Sequence, residues 1–482
     1  MAGPLAETRY GTVEGLRSGD VRVWRGIPFA RAPVGELRFG PPQPPEPWSG
    51  VRDATRFGPV SWQVPALALL APVGEERQHQ SEDCLNLNVW SPAADGSRRP
   101  VLVWIHGGAF VWGSGQTPWY DGTSFAAQGD VVVVTINYRL GPFGFLHLGG
   151  IAGAEYADSG NCGILDQIAA LRWVRENIAA FGGDPERVTV AGQSAGSISV
   201  GMLLARPDAR GLFRQAIMAS GTPGVGLVND PERADGRARA LLAALQIPPA
   251  EWRRLLDVPA EALLAAAGPR TAGLGWLPVQ AGPGLPEVLG RGDAAGIPLM
   301  VGTNRDEFNL YGVDPAWAAM DDAALLRAAG PLHPRLHDHY LAGRRGRDLM
   351  QAVMDLTTDR VFWYPAQRAA ALQSVHAPVW VYRFDWESRA TGGALRACHA
   401  LDTPFAFHTI EGPHGKLLTG ESPDLLPLAR AFHAAWTGFV RDGDPGWPRY
   451  ELARRPVMLF NTESHVVHDP GGDARRVWEQ VG

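Results

Sequence analysis

The stretch from Val188 to Gly196 reads Val-Thr-Val-Ala-Gly-Gln-Ser-Ala-Gly, and it decides the fold of this chain. The apolar run before Gly192 predicts a buried strand, and the residues from Ser197 to Ala205 are compatible with a helix. A strand, a G-x-S-x-G turn and a helix together form a nucleophile elbow, which would lift Ser194 clear of the sheet. The alternative is a glycine-rich turn with a capping serine. The strand before the turn and the helix after it favour the nucleophile.

Other short apolar runs recur along the chain. They are continuous and do not alternate with polar residues, which is typical of strands buried on both faces of a parallel sheet. The predicted strands are Val101 to His106, Val131 to Asn137, Val188 to Ala191, Gln215 to Ser220, Pro298 to Thr303 and Val379 to Phe384.

Helical segments lie between these runs. The clearest extends from about Asp166 to Phe181, with apolar residues three or four positions apart, and stops at Gly182-Gly183-Asp184-Pro185. Alternating strands and helices predict an α/β fold with a mostly parallel sheet, and we expect residues 1–482 to form one domain. The Ala- and Arg-rich inserts Arg233 to Ala267 and Ala323 to Arg347 are predicted to form a helical cap over one end of the sheet.

A second glycine-rich turn, His106-Gly107-Gly108-Ala109-Phe110, follows the first of these predicted strands. Acyl transfer needs backbone N–H groups that point to the site where an oxyanion develops. A loop of this kind upstream of the elbow is where such hydrolases place those donors. An ordinary strand-ending turn is the alternative, but the two motifs in this order favour a serine hydrolase.

The composition narrows the possible functions. The chain has 482 residues, 45% hydrophobic and 20% charged, as expected of a globular protein, and its net charge of −6 disfavours a nucleic-acid binder. No apolar run is long enough to span a bilayer, and the N-terminus lacks the basic and apolar parts of a secretory signal. Three cysteines are too few for a disulfide framework, so we expect a reducing, cytoplasmic location.

No cofactor or metal is expected. The sequence has neither a phosphate-binding loop nor a dinucleotide fingerprint. One group of histidines resembles a set of metal ligands by its close spacing: His333, His337 and His339. They lie, however, in an Arg-rich insert without cysteines. A solvent-exposed helix face is the better interpretation.

The chain resembles the type-B carboxylesterases, the family of α/β-hydrolases that includes bacterial para-nitrobenzyl esterase and the cholinesterases. The resemblance implies a mostly parallel central sheet flanked by helices, with helical cap insertions. It covers nearly the whole chain. The matching segments are Gly26-Ile27-Pro28-Phe29-Ala30, Glu82 to Trp90, Asp158-Ser159-Gly160-Asn161, Phe181 to Pro185, the elbow and Gly443-Asp444-Pro445.

The resemblance also implies the partners of Ser194. In the segment Asn304-Arg305-Asp306-Glu307 it assigns Glu307 as the catalytic acid, with Asp306 as its rival; Phe308 departs from the glycine that is usual at the next position. In Cys398-His399-Ala400-Leu401-Asp402 it assigns His399 as the base. His408 and His414 are the rival histidines.

Further residues take roles by the same resemblance. Gly108, Ala109 and Ala195 would supply the N–H groups of the oxyanion hole, and Ser220 would support the histidine. Phe110 and Trp112 would either line an apolar substrate pocket or pack in the core.

Two departures from the family pattern narrow the substrate and the compartment. Gln193 stands where many members have glutamate, which disfavours a cationic choline ester. Ser61 replaces the cysteine that pairs with Cys84 in secreted relatives, so Cys84 is expected to be a buried hydrophobic residue.

We therefore expect a serine carboxylesterase of broad specificity for uncharged esters. Its partner would be a small-molecule ester, and a monomer is favoured. Hydrolysis of amides, carbamates or thioesters uses the same acyl-enzyme chemistry and stays open. A binding module that has lost catalysis is a second alternative, which the intact Ser194, Glu307 and His399 disfavour.

Overall fold

Fourteen strands form in the part of the chain that the structure, a computed structural model, describes: residues 3–64, 78–224, 226–268, 275–280 and 282–481. They are β1 (Leu5–Thr8), β2 (Gly11–Glu14), β3 (Leu16–Ser18), β4 (Val21–Pro28), β5 (Val51–Asp53), β6 (Asn86–Ser91), β7 (Arg99–Ile105), β8 (Val132–Ile136), β9 (Gly183–Gln193), β10 (Gln215–Ala219), β11 (Leu299–Asn304), β12 (Val379–Phe384), β13 (Pro456–Phe460) and β14 (His465–His468).

α-Helices connect most of these strands. Within the described ranges they are α1 (Thr123–Gly129), α2 (Gly141–Phe145), α3 (Gly149–Ala152), α4 (Cys162–Asn177), α5 (Ala195–Ala205), α6 (Pro231–Ala244), α7 (Ala260–Ala266), α8 (Leu285–Arg291), α9 (Asn309–Gly312), α10 (Pro315–Ala318), α11 (Asp322–Ala329), α12 (Pro334–Tyr340), α13 (Gly346–Thr358), α14 (Tyr364–Gln373), α15 (Thr403–Ala406), α16 (Pro413–Thr419), α17 (Leu425–Asp442) and α18 (Gly472–Val481). A π-helical turn, Asp359–Trp363, joins α13 to α14.

Eleven strands form one sheet in the order β14-β13-β12-β11-β10-β9-β7-β8-β6-β4-β3. The seven strands from β13 to β8 in this order run parallel to one another. Antiparallel strands flank them at both edges. The chain thus has the mostly parallel sheet that the sequence predicts, and the α/β-hydrolase fold that the family resemblance implies.

The six predicted strands are present, and their bounds differ most at β9. This strand begins at Gly183, five residues before the predicted start, because its first residues pair with β7 although Pro185 and Glu186 interrupt the apolar pattern. The predicted helix is α4, which begins four residues early at Cys162. Its last turn, Ile178–Phe181, is a 3-10 helix that ends at Gly182.

The central strands bury both faces. In β7, Val101, Val103 and Ile105 belong to one apolar cluster, and the alternate residues Leu102 and Trp104 belong to another. Because successive side chains of a strand point to opposite faces, each cluster covers one side of the sheet. The rigid layer between them holds the loops at its carboxyl edge.

The two predicted inserts are helical. The first contains α6 and α7, and the second contains α11 and α12. The second insert does not pack on the sheet but on α13 and the C-terminal helix α18. Their side chains form a third cluster, which contains Leu325, Ala329, Leu336, Tyr340, Leu341, Leu349, Ala352, Val353, Leu356, Trp363 and Trp478.

A helix that spans a bilayer must be both long and apolar along its length. None of the helices in the described ranges meets both conditions.

Candidate active site

The carboxyl edge of the parallel sheet brings the predicted catalytic residues into one region. Ser194 directly follows β9, Glu307 follows β11 and His399 follows β12. Since parallel strands end at the same edge, residues distant in sequence converge there. Ser194 and His399 line the same cavity.

Ser194 sits in a strained turn between β9 and α5. Its φ of 58° and ψ of −124° lie outside the regions that non-glycine residues usually adopt. The turn is held because the Ser194 N–H donates to the Ala219 carbonyl at 2.9 Å. The loop after β7 touches this turn, since a Cβ on Gly107 would lie 3.1 Å from the Ser194 Cβ.

Glu307 is fully buried and bonds directly to His399. The His399 Nδ1–H donates to Glu307 Oε2 at 2.6 Å, and the Asn304 N–H donates to the other oxygen, Oε1, at 2.8 Å. The His399 N–H also donates to the Glu307 carbonyl at 3.1 Å. These bonds fix the imidazole with its proton on Nδ1, which leaves Nε2 as a hydrogen-bond acceptor.

The rival residues have other contacts. Asp306 pairs with Arg305 at 2.8 Å and with Arg396 at 3.4 Å, and not with His399. The His408 ring lies 5.8 Å from the ring of His433. Neither His408 nor His414 is among the described residues that line the cavity.

The contact on the other ring nitrogen of His399 is with Gln193. Gln193 Nε2 donates to His399 Nε2 at 3.1 Å. No hydrogen bond between Ser194 and His399 occurs among the described residues, so the structure brings this pair into one cavity without joining it. Catalytic hydrogen bonds are often looser without substrate and tighten in the complex.

The loop after β7 has a strained backbone. Gly108, Ala109 and Phe110 have φ values of 113°, 53° and 61° in succession. Only a glycine fits at position 108, because a Cβ there would lie 1.8 Å from the Trp112 carbonyl oxygen. Within the described chain, the N–H groups of Gly108, Ala109 and Ala195 donate to no recorded acceptor. All three residues line the cavity together with Ser194.

A second buried carboxylate, that of Asp402, lies beside Glu307 and His399. Burial, and then the charge of Glu307, raise the pKa of Asp402 to about 6. Asp402 accepts from the Tyr382 hydroxyl at 3.0 Å and from Asn304 Nδ2 at 3.4 Å. Asp402 lies only three residues after His399 in the sequence, which places it near the site. The spacing alone could not show that its side chain turns back toward Glu307.

Ser220 lies at the end of β10, at the same edge. It is fully buried with a φ of 54°, its N–H donates to the Gly302 carbonyl at 2.8 Å, and it lines the cavity. Its hydroxyl has no partner among the described residues.

The cavity at this edge has a volume of about 1230 Å³. Most of its wall is aromatic or aliphatic. Phe110 and Trp112 both line it. Phe110 is also fully buried and packs edge-on against Phe145 at 5.0 Å, so it belongs to the core and to the wall. Phe362 closes the wall beside His399, with ring centres 4.8 Å apart.

The first helical insert reaches this cavity through Arg237, Leu264 and Ala267. The second insert lies outside the described wall. It acts instead through the third cluster, which holds Trp478 against the cavity.

The histidines of the second insert do not converge. His333 accepts from the Arg335 N–H at the start of α12, and His339 packs on Tyr340. In the described ranges no three side chains of the metal-binding types meet. Cys84 is buried, and burial raises the pKa of its thiol to about 12.

Comparison with known proteins places this site in a family. A sequence model of the carboxylesterase family matches residues 2–474. The para-nitrobenzyl esterase of Bacillus subtilis is 40% identical to the chain, over 99% of it and 98% of that protein. The phenmedipham hydrolase of Pseudarthrobacter oxydans is 34% identical, with 98% and 97% covered.

Solved structures of carboxylesterases are similar to this chain over nearly its whole length. A carboxylesterase of Geobacillus stearothermophilus, solved at pH 6.2, superposes with a TM-score of 0.89 at 46% identity, covering 98% of this chain and 99% of that one. A structure of para-nitrobenzyl esterase gives a TM-score of 0.88 at 40% identity, with the same coverage. The chain therefore belongs to the carboxylesterase family and is a carboxylic ester hydrolase.

Proposed function

We propose that the chain hydrolyses esters through an acyl-enzyme on Ser194, with His399 as general acid and base and Glu307 orienting it. The bond between His399 Nδ1 and the buried Glu307 carboxylate carries this proposal. A buried carboxylate on one ring nitrogen sets the tautomer and stabilises the imidazolium that forms when the other nitrogen takes a proton.

The steps follow from this arrangement. His399 Nε2 takes the hydroxyl proton of Ser194 while the serine oxygen attacks the ester carbonyl. The N–H groups of Gly108, Ala109 and Ala195 hold the oxyanion. His399 then returns the proton to the departing alcohol, and a water molecule activated by the same nitrogen cleaves the acyl-enzyme.

Gln193 occupies the hydrogen-bonding position on His399 that the Ser194 hydroxyl needs for the reaction. Its amide donates to His399 Nε2 in the structure, so the Ser194 hydroxyl must take over this position when substrate enters. Being neutral, Gln193 adds no negative charge that would attract a cationic alcohol group.

The proposed substrates are uncharged esters with a broad range of acyl groups. The wall is mainly apolar, and an apolar pocket discriminates by only about 1 to 3 kcal/mol for each methylene group. Phe110, Trp112 and Phe362 would contact the acyl and alcohol parts.

Hydrolysis of a series of 4-nitrophenyl esters, from acetate to decanoate, tests the proposal. We expect Ser194→Ala to lower kcat by about 10⁶. A fluorophosphonate should label the tryptic peptide that runs from Val188 to Arg210, whose serines are Ser194, Ser197 and Ser199. Fragmentation of this peptide should place the label on Ser194. A folded wild type that hydrolyses none of the series would overturn the proposal.

A reducing, cytoplasmic location is also proposed. All three cysteines are buried and unpaired, which suits such a compartment. Titration of the protein unfolded without reductant should release all three as thiols, and a disulfide at Cys84 would contradict this location.

A further inference from the structure

The positive charges of the catalytic cavity are not balanced within its wall. Arg237, Arg360 and Arg368 line it, and among the described residues of the wall there is no aspartate, glutamate or lysine. The whole protein carries a net charge of −6, so a cavity wall with three arginines and no described carboxylate is opposite in sign to the protein.

Arg360 is the best placed of the three. It lies in the π-helical turn Asp359–Trp363, two residues before Phe362, whose ring packs on His399. Its guanidinium donates to the Ala329 carbonyl at 2.8 Å. Guanidinium carries five N–H donors, so this bond leaves most of them unused.

No described carboxylate pairs with Arg360. Burial lowers the pKa of its guanidinium, and no neighbouring acid acts against that effect. The adjacent Asp359 points to the Tyr340 hydroxyl instead. Partly buried arginines usually have an anionic partner, because a desolvated charge without one is costly.

Arg237 approaches the cavity from the first insert. Its guanidinium lies 5.8 Å from the ring centre of Trp276, and a Cβ on Gly275 would lie 1.9 Å from its Nη1, so the side chain is packed in place. Burial and the charge of Arg233 lower the pKa of Arg237. Arg368 is exposed at the rim. Neither Arg237 nor Arg368 forms an ion pair within the described chain.

We propose that the unpaired arginines of the catalytic cavity, Arg360 foremost, bind a carboxylate of the substrate, so that this esterase also accepts esters that carry a negative charge. The inference rests on the proposed esterase function and extends its substrates beyond uncharged esters. A planar guanidinium pairs with a carboxylate through two parallel bonds, which would also orient the ester at Ser194.

Two matched pairs of esters test this proposal and locate the charge. The first pair is 4-nitrophenyl hydrogen adipate and 4-nitrophenyl methyl adipate, in which the charge lies on the acyl part. The second is 4-acetoxybenzoate and methyl 4-acetoxybenzoate, in which it lies on the alcohol. The measured quantity is the ratio of kcat/KM for the anionic ester to that for its neutral match. Comparison of this ratio between variants cancels intrinsic reactivity.

In Arg360→Met the ratio should fall by about tenfold or more in at least one pair, as expected for the loss of a hydrogen bond to a charged group. Arg360→Lys should restore part of it, and Arg237→Met should lower it in the same direction. Arg214→Met is the matched control, because Arg214 is exposed and directly precedes β10, at the amino edge of the sheet. It removes the same charge and should leave the ratio unchanged.

An unchanged ratio in both pairs for Arg360→Met and Arg237→Met would overturn this inference while the proposed esterase function stands. A folded wild type that hydrolyses neither neutral ester would overturn the esterase function itself, and the inference with it.

Discussion

Replacing Glu307 by glutamine should nearly abolish catalysis without unfolding the protein. Two donors converge on the carboxylate, the Asn304 N–H at 2.8 Å and His399 Nδ1–H at 2.6 Å. Glutamine has one oxygen, so it can satisfy only one of them. If that oxygen keeps the Asn304 bond, the amide NH₂ faces Nδ1 and forces the imidazole proton onto Nε2. The base for Ser194 is then lost.

The size of the effect follows from this change of tautomer and from the lost charge. A comparable substitution in a serine protease lowers kcat by about 10⁴, which corresponds to about 5.5 kcal/mol of transition-state stabilisation. We expect a similar loss for Glu307→Gln in hydrolysis of 4-nitrophenyl butyrate at neutral pH. Because the variant is isosteric, its circular dichroism spectrum should match that of the wild type.

Asp306→Asn is the matched control for this prediction. It also neutralises a carboxylate of the same loop, but that carboxylate pairs with the partly exposed Arg305 and Arg396. The Asp306 side chain is 7% exposed, so the change can cost stability, but it leaves the bond between Glu307 and His399 in place and kcat should stay near that of the wild type. The assignment of the acid is refuted if Asp306→Asn is as inactive as Glu307→Gln, or if Glu307→Gln keeps full activity.

Three further variants test the strained loop, a buried carboxyl and a buried ion pair. Gly108→Ala would place a Cβ 1.8 Å from the Trp112 carbonyl oxygen and displace the oxyanion donors, so kcat should fall by about 10² to 10³. Burial raises the pKa of Asp359 from 3.8 to about 7, so this group stabilises the fold below about pH 4. That contribution, up to about 4 kcal/mol, is lost as the pH rises from about 4 through 7, so Asp359→Asn should raise Tm by more at about pH 9 than at about pH 5. Asp166→Ala leaves the guanidinium of Arg139, only 2% exposed, without its partner at 2.7 Å and should lower the unfolding free energy by about 3 to 5 kcal/mol in urea.

For each of these three predictions, one experimental result would contradict the stated reason. Ala109→Gly, a control for Gly108→Ala, relieves a φ of 53° and should stay active; equal loss in both variants would argue against the steric reason. A Tm difference between Asp359→Asn and the wild type that is the same at both pH values would remove Asp359 from the pH dependence. A urea midpoint of Asp166→Ala that matches the wild type would show that Arg139 finds another partner.

Continuous apolar runs were enough to predict the central sheet. Each face of a buried strand needs apolar residues, so β7 and β12 stand out in the sequence. The short strands β3 and β5 were not predicted, because each has three residues and is largely exposed; β5 lies outside the eleven-stranded sheet. The first residues of β9 were also missed, since their pairing depends on β7 and not on their own hydrophobicity.

The candidate site was predictable to the extent that it depends on order along the chain. Ser194, Glu307 and His399 each follow a predicted strand; the elbow motif predicts Ser194, and the family resemblance implies Glu307 and His399. Phe110 and Trp112 were expected near the pocket from their place after the second glycine-rich turn, but Arg360 and Trp478 were not, because they reach the wall through tertiary packing. The side-chain contact between Gln193 and His399 likewise depends on distances that no spacing in the sequence encodes.

The third cluster has a consequence for how the enzyme responds to heat. It holds Trp478 of α18 against the cavity, but it is made of helices and is much smaller than the two clusters that cover the sheet. Peripheral units of this kind open at lower free energy than a buried sheet. Warming should therefore first loosen one wall of the cavity while the strands and their loops stay folded. Activity would decline below the melting temperature of the sheet, and cooling from that range would restore it.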